Sequence, residues 1–462
     1  MKLLIALTKG EFQVSNGQTK RGLAQLLVLT GSLLLLCIPG QAKDLPSAAR
    51  PHPAEKRLLV IAPHPDDESL AGAALIHKTL QEGGSVRVAV MTNGDGFRRA
   101  ASEQFHLPKA EASDLYRLGL LRQQEEVTAA KQLGLQEQDI LFLGYPDAGL
   151  RHLWSGHWSR QAPYTGLNGF NHVPYRRAFR HGSPYCGQAV TDDLRRILTA
   201  YRPTHVLYPD PHDVHGDHWA SSAFTQYALA GLPLTPVEST YLIHYPQFPK
   251  PQSYRPAHPL QQPKGLEDIG IRWRSVPLGG HEVQQKRSAI LAHQSQIQVM
   301  KDLLTSFVRQ NDLIGKSSIP LLQNGGPASE LLDPAGDQSG DAAVDIRKLT
   351  VSRRGEQLRL CLDLARPVSS EHRVTVRLRM PQAQGGETSQ LEVKVHQRKL
   401  NITSYPELNS RVQHPLFWQL QGERFLLTLP MSTFRNMGCL MLETEVKQGT
   451  SVDRTAWRRL YL

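Results

Sequence analysis

The chain has 462 residues, 40% of them hydrophobic and 21% charged, with 36 Gly, 31 Pro and 4 Cys. That composition excludes a collagen, a coiled coil, a wholly disordered chain and a disulfide-dense miniprotein. The formal net charge of +11 is spread rather than run together, and no motif of fixed spacing accompanies it, so anionic partners are favoured but no nucleic acid is expected.

Near the start, Lys20 and Arg21 precede an apolar run from Leu23 to Ile38, followed by Pro39, Gly40, Gln41 and Ala42. A basic flank, an apolar stretch and a small-residue cut site are the parts of a secretory signal. The run is short for a spanning helix, which needs about 20 apolar residues. Residues 1–42 are therefore expected to be a signal peptide or N-terminal anchor, and 43–56 a spacer. The expected location is exported: periplasmic, extracellular or cell-surface. Membrane contact is expected only through an uncleaved N-terminal segment.

From Arg57 onward the pattern alternates. Arg57–Ala62 reads as a continuous apolar strand, Ser69–Gln81 as a helix, and Val86–Thr92 as a strand. Leu115–Leu133 is a helix closed by Gly134, and Ile140–Leu143 a strand. Then come helix Ala189–Tyr201, strand His205–Tyr208, helix Trp219–Leu229, strand Thr240–His244 and a long helix, Glu282–Arg309. Such alternation predicts an α/β fold with a Rossmann-like, doubly wound, mostly parallel sheet, assigned to residues 57–312. The loop 148–188 carries Trp154, Trp158, Tyr164, Tyr175 and Tyr185, which read either as a wall for a sugar ring or as a packed surface loop. Residues 313–345, rich in Gly, Ser, Pro, Asp and Gln, read as a linker. Residues 346–462 hold turn-separated runs such as Leu358–Leu364 and Leu440–Val446, and predict a smaller C-terminal β-sandwich domain. Cys361 and Cys439 fall in two of these runs, paired or as separate thiols.

Chemistry concentrates in two segments. Pro63-His64-Pro65-Asp66-Asp67-Glu68 follows the first strand, and His212-Asp213-Val214-His215-Gly216-Asp217-His218 follows the strand His205–Tyr208. Ligands of open parallel sheets bind outside the carboxyl ends of strands, so both segments open onto the same rim. Imidazole with carboxylate suits zinc and similar divalent ions, and a catalytic zinc keeps three protein ligands. Not all of these acids can be ligands, because one carboxylate must take a proton from the activated water.

The two segments resemble the signature of the PIG-L/LmbE-type de-N-acetylases, metal-dependent enzymes that remove acetyl from N-acetylglucosamine-type groups, over roughly residues 57–300. Thr92-Asn93-Gly94, Arg122 with Glu125, Tyr145-Pro146-Asp147, Lys286 and His293-x-Ser295-Gln296 also match, in order. The resemblance implies His64, Asp67 and His218 as ligands of one divalent metal ion, with zinc expected, and Asp66 as general base. It implies His215 as a cation that stabilises the oxyanion and aids the leaving amine, Asp217 as the residue orienting an imidazole, and Asp147 as a contact to sugar hydroxyls. Arg122 and Glu125 are read as structural helix residues. Gly216 stands where many relatives have proline. The implied function is hydrolysis of a linear amide, an N-deacetylation of an amino sugar in a glycan, glycolipid or glycoconjugate. The competing reading is a catalytically inactive carbohydrate-binding protein on the same fold.

Overall fold

The chain is described by a computed structural model covering residues 55–381, 389–404, 416–434 and 437–462. The export segment 1–42 and residues 43–54 of the spacer lie outside the described residues. No helix among the described residues is long and apolar enough to cross a membrane.

Apolar runs in the first half become strands buried on both faces. In chain order the elements are β1 (Arg57–Ala62), α1 (Asp67–Ala71), α2 (Ala73–Gln81), β2 (Ser85–Thr92), α3 (Arg98–Phe105), α4 (Ala112–Gln132), β3 (Ile140–Tyr145), α5 (Leu150–Ser155) and α6 (Gly187–Tyr201). They continue with β4 (His205–Pro209), α7 (Gly216–Ala230), β5 (Val237–Tyr241), β6 (Ile271–Pro277), α8 (Gly280–Ala292), α9 (Gln294–Thr305) and β7 (Asn311–Ser317). The sheet order is β3-β2-β1-β4-β5-β7-β6. Its first five strands pair in parallel, and β7 joins antiparallel to both β5 and β6. The chain winds outward from β1 in both directions, so the switch point lies between β1 and β4, where Val60 faces Leu207. A crevice opens there at the carboxyl ends.

Two expected helices are broken. The helix over 69–81 splits at Gly72, where an added Cβ would meet the Glu68 carbonyl oxygen at 2.8 Å. The long helix 282–309 ends α8 at His293, whose ψ of 60° is not helical. Glu125 holds the next turn by accepting from the Ser295 N–H (2.8 Å) and hydroxyl (2.6 Å). The break turns Gln296 and Met300 towards the crevice.

The aromatic loop is a packed loop rather than a sugar wall. Trp154, Tyr175 and Tyr185 are fully buried in the core on one face of the sheet, with Trp158 and Tyr164 packed against them. Burying such rings removes their large apolar area from water.

Past β7, the segment 313–345 carries order that its composition did not announce. It contains β8 (Ser329–Leu332), which pairs with β9 (Ile346–Arg354), and isolated bridges at Leu321 and Asn324. Backbone pairing along a sheet edge needs no apolar alternation, so the linker reading missed it. Then follow β10 (Gln357–Leu364), β11 (Arg373–Met380), β12 (Ser389–His396), β13 (Lys399–Ser404), β14 (Phe417–Gln421), β15 (Arg424–Pro430), β16 (Cys439–Gln448), β17 (Ser451–Arg454) and β18 (Arg458–Tyr461). These form two antiparallel sheets, β14-β15-β10-β9-β8 and β13-β12-β11-β16-β17 with β18 on β16. Alternating inward residues of both, such as Leu358, Leu360, Val374 and Val376, share one core. Cys361 and Cys439 stand on different sheets, and both are free.

The C-terminal sheets are docked on the α/β part. Trp457 packs edge-on against Trp154 with centroids 5.2 Å apart, and the Arg379 guanidinium stacks 4.1 Å from the Trp158 ring.

Candidate active site

Pro63 begins the loop after β1, and Thr92 at the end of β2 fastens it. The Thr92 N–H and hydroxyl both donate to the Pro63 carbonyl, at 3.0 and 2.9 Å. The chain then turns sharply: Asp66 has φ 147°, a region that costs a non-glycine residue about 1–3 kcal/mol. That strain is stabilised by Arg122, reaching in from α4. Its Nη2 donates to the Asp66 carboxylate (3.0 Å) and the Pro65 carbonyl (2.8 Å), and its Nη1 to the Gly94 carbonyl (3.1 Å). Position 94 has to be glycine, since φ is +61° and a Cβ would lie 1.9 Å from the Arg122 guanidinium.

The second segment leaves β4 across the switch point and enters α7. Asp213 shapes it, accepting from the His215 N–H (2.9 Å) through one oxygen and from the Ile243 and His244 N–H groups (3.1 and 3.0 Å) through the other. His215 caps α7, its Nδ1 accepting from the Asp217 N–H at 3.3 Å.

Three atoms from these loops converge. His64 Nδ1 lies 3.5 Å from Asp67 Oδ2 and 3.2 Å from His218 Nε2, and His218 Nε2 lies 3.4 Å from Asp67 Oδ2. Ligands about 2.0–2.1 Å from a tetrahedral ion stand about 3.3 Å apart, so the triangle fits one divalent ion. Each imidazole is held from behind. His64 Nε2 faces Asp147 Oδ1 (3.2 Å) and Asp217 Oδ2 (3.4 Å), and His218 Nδ1 faces Asp213 Oδ2 (3.1 Å). Backing of this kind fixes the orientation of a ligating ring. The nitrogens of His64, His215 and His218 also lie within 4.8 Å of one another.

Electrostatics follow from packing acids and imidazoles out of water. Burial opposes the charge on Asp67, yet His218 and His64 outweigh it and hold the carboxyl well below its usual range. Burial likewise opposes charge on His64, but Asp147, Asp217 and Asp67 push its pKa well up. Asp66 behaves differently: burial raises it to about 7 against the pull of Arg122. His215 is pushed down to about 4 by burial and by His64 and His218 beside it. The imidazolium expected at His215 is therefore not the form this environment favours near neutrality, because neighbouring positive charge penalises it.

These groups border a cavity of about 220 Å³, lined by His64, Asp66, Asp67, Asp147, His215 and Arg122 on its polar side. His244 and Gln296 complete the polar side, and Leu70, Phe97, Ile243, Met300, Leu303 and Leu304 line the rest. Asp217 is fully buried and does not face the cavity; its oxygens accept from the Ala148 (2.6 Å) and Leu150 (2.9 Å) N–H groups. Asp147 lines the cavity but also accepts from the Gly96 N–H at 2.8 Å.

Three residues escaped the sequence reading. Arg122, read as structural, pairs with Asp66 across the chain, and nothing local to α4 announces that. His244 lines the cavity and packs 4.7 Å from the His218 ring; its place just beyond a strand was the available signal. Asp213 stood inside the quoted cluster without a role.

Comparison with known proteins adds a family. Residues 59–229 match the family described as GlcNAc-PI de-N-acetylase, PIG-L. A 1D-myo-inositol 2-acetamido-2-deoxy-alpha-D-glucopyranoside deacetylase of a Nocardioides species is 29% identical over 180 residues, 38% of this chain. The chain spans about half the length of that curated relative, 54%. Among solved structures, an N,N'-diacetylchitobiose deacetylase from Pyrococcus horikoshii is 21% identical, covering 57% of this chain and 79% of its own, with a TM-score of 0.33. A conserved protein from Thermus thermophilus is 23% identical, covering 54% of this chain and 84% of its own, with a TM-score of 0.32. The family match spans both loops that build the site, taking in His64, Asp66, Asp67, Asp147, His215 and His218.

Proposed function

We propose that the chain is a metal-dependent hydrolase, with zinc the expected ion, that removes acetyl from an N-acetylated amino sugar of a glycan, glycolipid or glycoconjugate. The observation that carries this reading is the triangle of His64 Nδ1, Asp67 Oδ2 and His218 Nε2, no side longer than 3.5 Å, with Asp66 beside it on the cavity. Three protein ligands leave a coordination position open, as catalytic sites require. The chemistry an ion bound there supplies is Lewis acidity and a water made acidic enough to react near neutral pH.

The chain's own residues do the rest. Asp66, pushed up to about 7, accepts the water's proton near neutrality and carries it to the departing amine. His215 has its Nδ1 on the Asp217 N–H, so its hydrogen sits on Nε2, where a neutral imidazole donates to the developing oxyanion. Asp217 and Asp213 hold the two ligating rings in place. Asp147 is a cavity carboxylate that a sugar hydroxyl would meet beside His64. The family match and the deacetylase relative support the acetyl-amide chemistry.

The test is acetate release from a panel of N-acetylated sugars, glycans and glycolipids, with and without chelator, on protein of measured metal content. Release that stops on chelation and returns with a divalent ion is expected. Sugar binding with one ion per chain and no acetate from any substrate would turn the reading into that of an inert carbohydrate-binding protein.

Export belongs to the same proposal. Lys20, Arg21 and the apolar run Leu23–Ile38 support delivery beyond the cytoplasm. Cell fractionation tests it.

A further inference from the structure

A second cavity, of about 310 Å³, lies where the α/β part meets the C-terminal sheets. Its walls include His212, Trp219, Tyr245 and Trp457, and two aspartates, Asp333 and Asp337. Asp333 and Asp337 follow β8, and Asp453 sits on β17. The three bring one carboxylate oxygen each within 4.8 Å of one another. Asp333 is only 6% exposed, and its Oδ2 has no hydrogen-bond partner. A buried carboxylate oxygen left bare keeps its full desolvation penalty. Grouping three acids adds repulsion to that cost.

The surroundings do not remove it. Asp453 uses its oxygens on the Ile346 N–H (2.7 Å) and the Arg454 N–H (2.8 Å), which leaves further lone pairs free. A fourth acid, Asp345, adds to the negative field while bonded to the Gly336 N–H and the Arg347 guanidinium. Arg458 is the cation nearest Asp333 in effect, but its Nη2 is directed at His212 Nε2, 2.9 Å away. Burial first, then Asp337 and Asp453, push Asp333 well above the usual carboxyl range; partial burial of its carboxyl and then Asp453 push Asp337, whose outer side is exposed, up to about 7.

We propose that Asp333, Asp337 and Asp453 form a binding site for a hard divalent cation of the calcium type, separate from the histidine-rich centre. The donor set is all oxygen, with no imidazole or thiol in the triad, which suits calcium rather than zinc. Calcium takes six to eight oxygens in flexible geometry, so three carboxylates with water complete a shell. Asp337 is exposed and gives the ion its way in. Held there, the ion ties the segment after β8 to β17 and stiffens one wall of the cavity.

The experiment uses the full chain with its catalytic metal retained. CaCl₂ is titrated by calorimetry, and Tb³⁺ is followed by luminescence excited through Trp219 and Trp457, which line the same cavity. One calcium per chain is expected, with a rise in Tm. Asp333→Asn and Asp337→Asn should each weaken binding at least tenfold and abolish the Tm rise, while the catalytic metal content stays the same. Asp333→Asn should also be more stable than the unsubstituted protein when both lack calcium, increasingly so as pH rises, because it replaces a carboxyl whose ionised form burial, Asp337 and Asp453 all oppose. Should Asp333→Asn fail to fold, the exposed Asp337→Asn decides alone. No calcium binding at millimolar CaCl₂, or unchanged affinity in Asp337→Asn, overturns the site.

Discussion

The Arg122 guanidinium lies 3.0 Å from the Asp66 carboxylate, and both side chains are buried. Burial raises the Asp66 pKa, and the guanidinium restrains the rise. A base acts only when ionised, so kcat/KM should climb as pH passes through the Asp66 pKa of the metal-loaded protein, which a bound cation lowers from the metal-free value. Arg122→Gln removes the restraint and should move the acid limb upward by about one unit or more. Each unit costs about tenfold in kcat/KM well below the limb and is recovered at higher pH. Arg122→Lys keeps the charge and should move the limb less. A pH–rate profile of the three proteins decides; a uniform loss at every pH would make Arg122 a structural prop.

Asp66 and Asp67 are neighbours with opposite electrostatic fates, one pushed up to about 7 and one held low. Asp66→Asn should cost about 10²–10⁴-fold in turnover and leave one metal ion per chain. Asp67→Asn should lose the metal. Metal analysis on the same preparations separates the roles, and loss of metal from Asp66→Asn would reverse them.

The parallel core of the α/β half was legible because β1 to β4 are largely apolar runs closed by Gly or Pro, and because both chemical segments directly follow such runs; β6 (IRWRSVP) and β7 (NDLIGKS) are not such runs, and no strand was expected there. The rest was hidden for identifiable reasons. The His293 break is set by Glu125 accepting from Ser295, a contact 170 residues apart in the chain. Strand β8 forms by edge pairing within a stretch whose composition reads as linker. Arg122 reaches Asp66 only because α4 crosses behind the loop after β1. Sequence spacing shows which groups are available near a strand end; it does not show which charge stands against which.

Asp213 ties the segment after β4 to the chain beyond β5, meeting His218 Nδ1 with the oxygen that also accepts from Ile243 and His244. Asp213→Asn should weaken metal affinity about 10–100-fold without removing a ligand. The ion must also displace protons. The acids around His64 and His218 raise both pKa values in the metal-free protein, so protons compete with metal increasingly as pH falls. The same raised values stabilise the metal-free fold below the unfolded histidine pKa, a contribution lost as pH rises through the folded ones. The Tm gain on adding zinc should therefore grow with pH. A gain independent of pH would exclude these imidazoles as ligands.

Arg379 joins the C-terminal sheets to the α/β part. Its guanidinium lies 4.3 Å from the Trp154 ring and 4.1 Å from that of Trp158, and it donates to the Trp154 carbonyl at 2.6 Å. Desolvated cation–π contacts and a charged hydrogen bond together are worth roughly 3–5 kcal/mol. Arg379→Ala should lower the thermal midpoint by several degrees while metal content at low temperature is unchanged. Unaltered melting would mean the two parts do not depend on this contact.

His215 makes the sharpest demand on the mechanism. An imidazolium would attract an oxyanion more strongly than a neutral ring, yet burial, His64 and His218 hold its pKa at about 4, and a bound cation nearby depresses it further. With Nδ1 occupied by the Asp217 N–H, the neutral ring presents one hydrogen, on Nε2. Removing a donor from an oxyanion site costs about 2.7–4 kcal/mol, or 10²–10³ in kcat. His215→Ala should show that loss with the metal retained. His215→Gln provides an uncharged N–H donor and should recover part of it, whereas a residue acting as a cation or as the acid for the amine would gain nothing from glutamine. Equal turnover in the Ala and Gln variants, with metal bound in both, would return the charged role to His215; unchanged turnover in both would make it only the cap of α7.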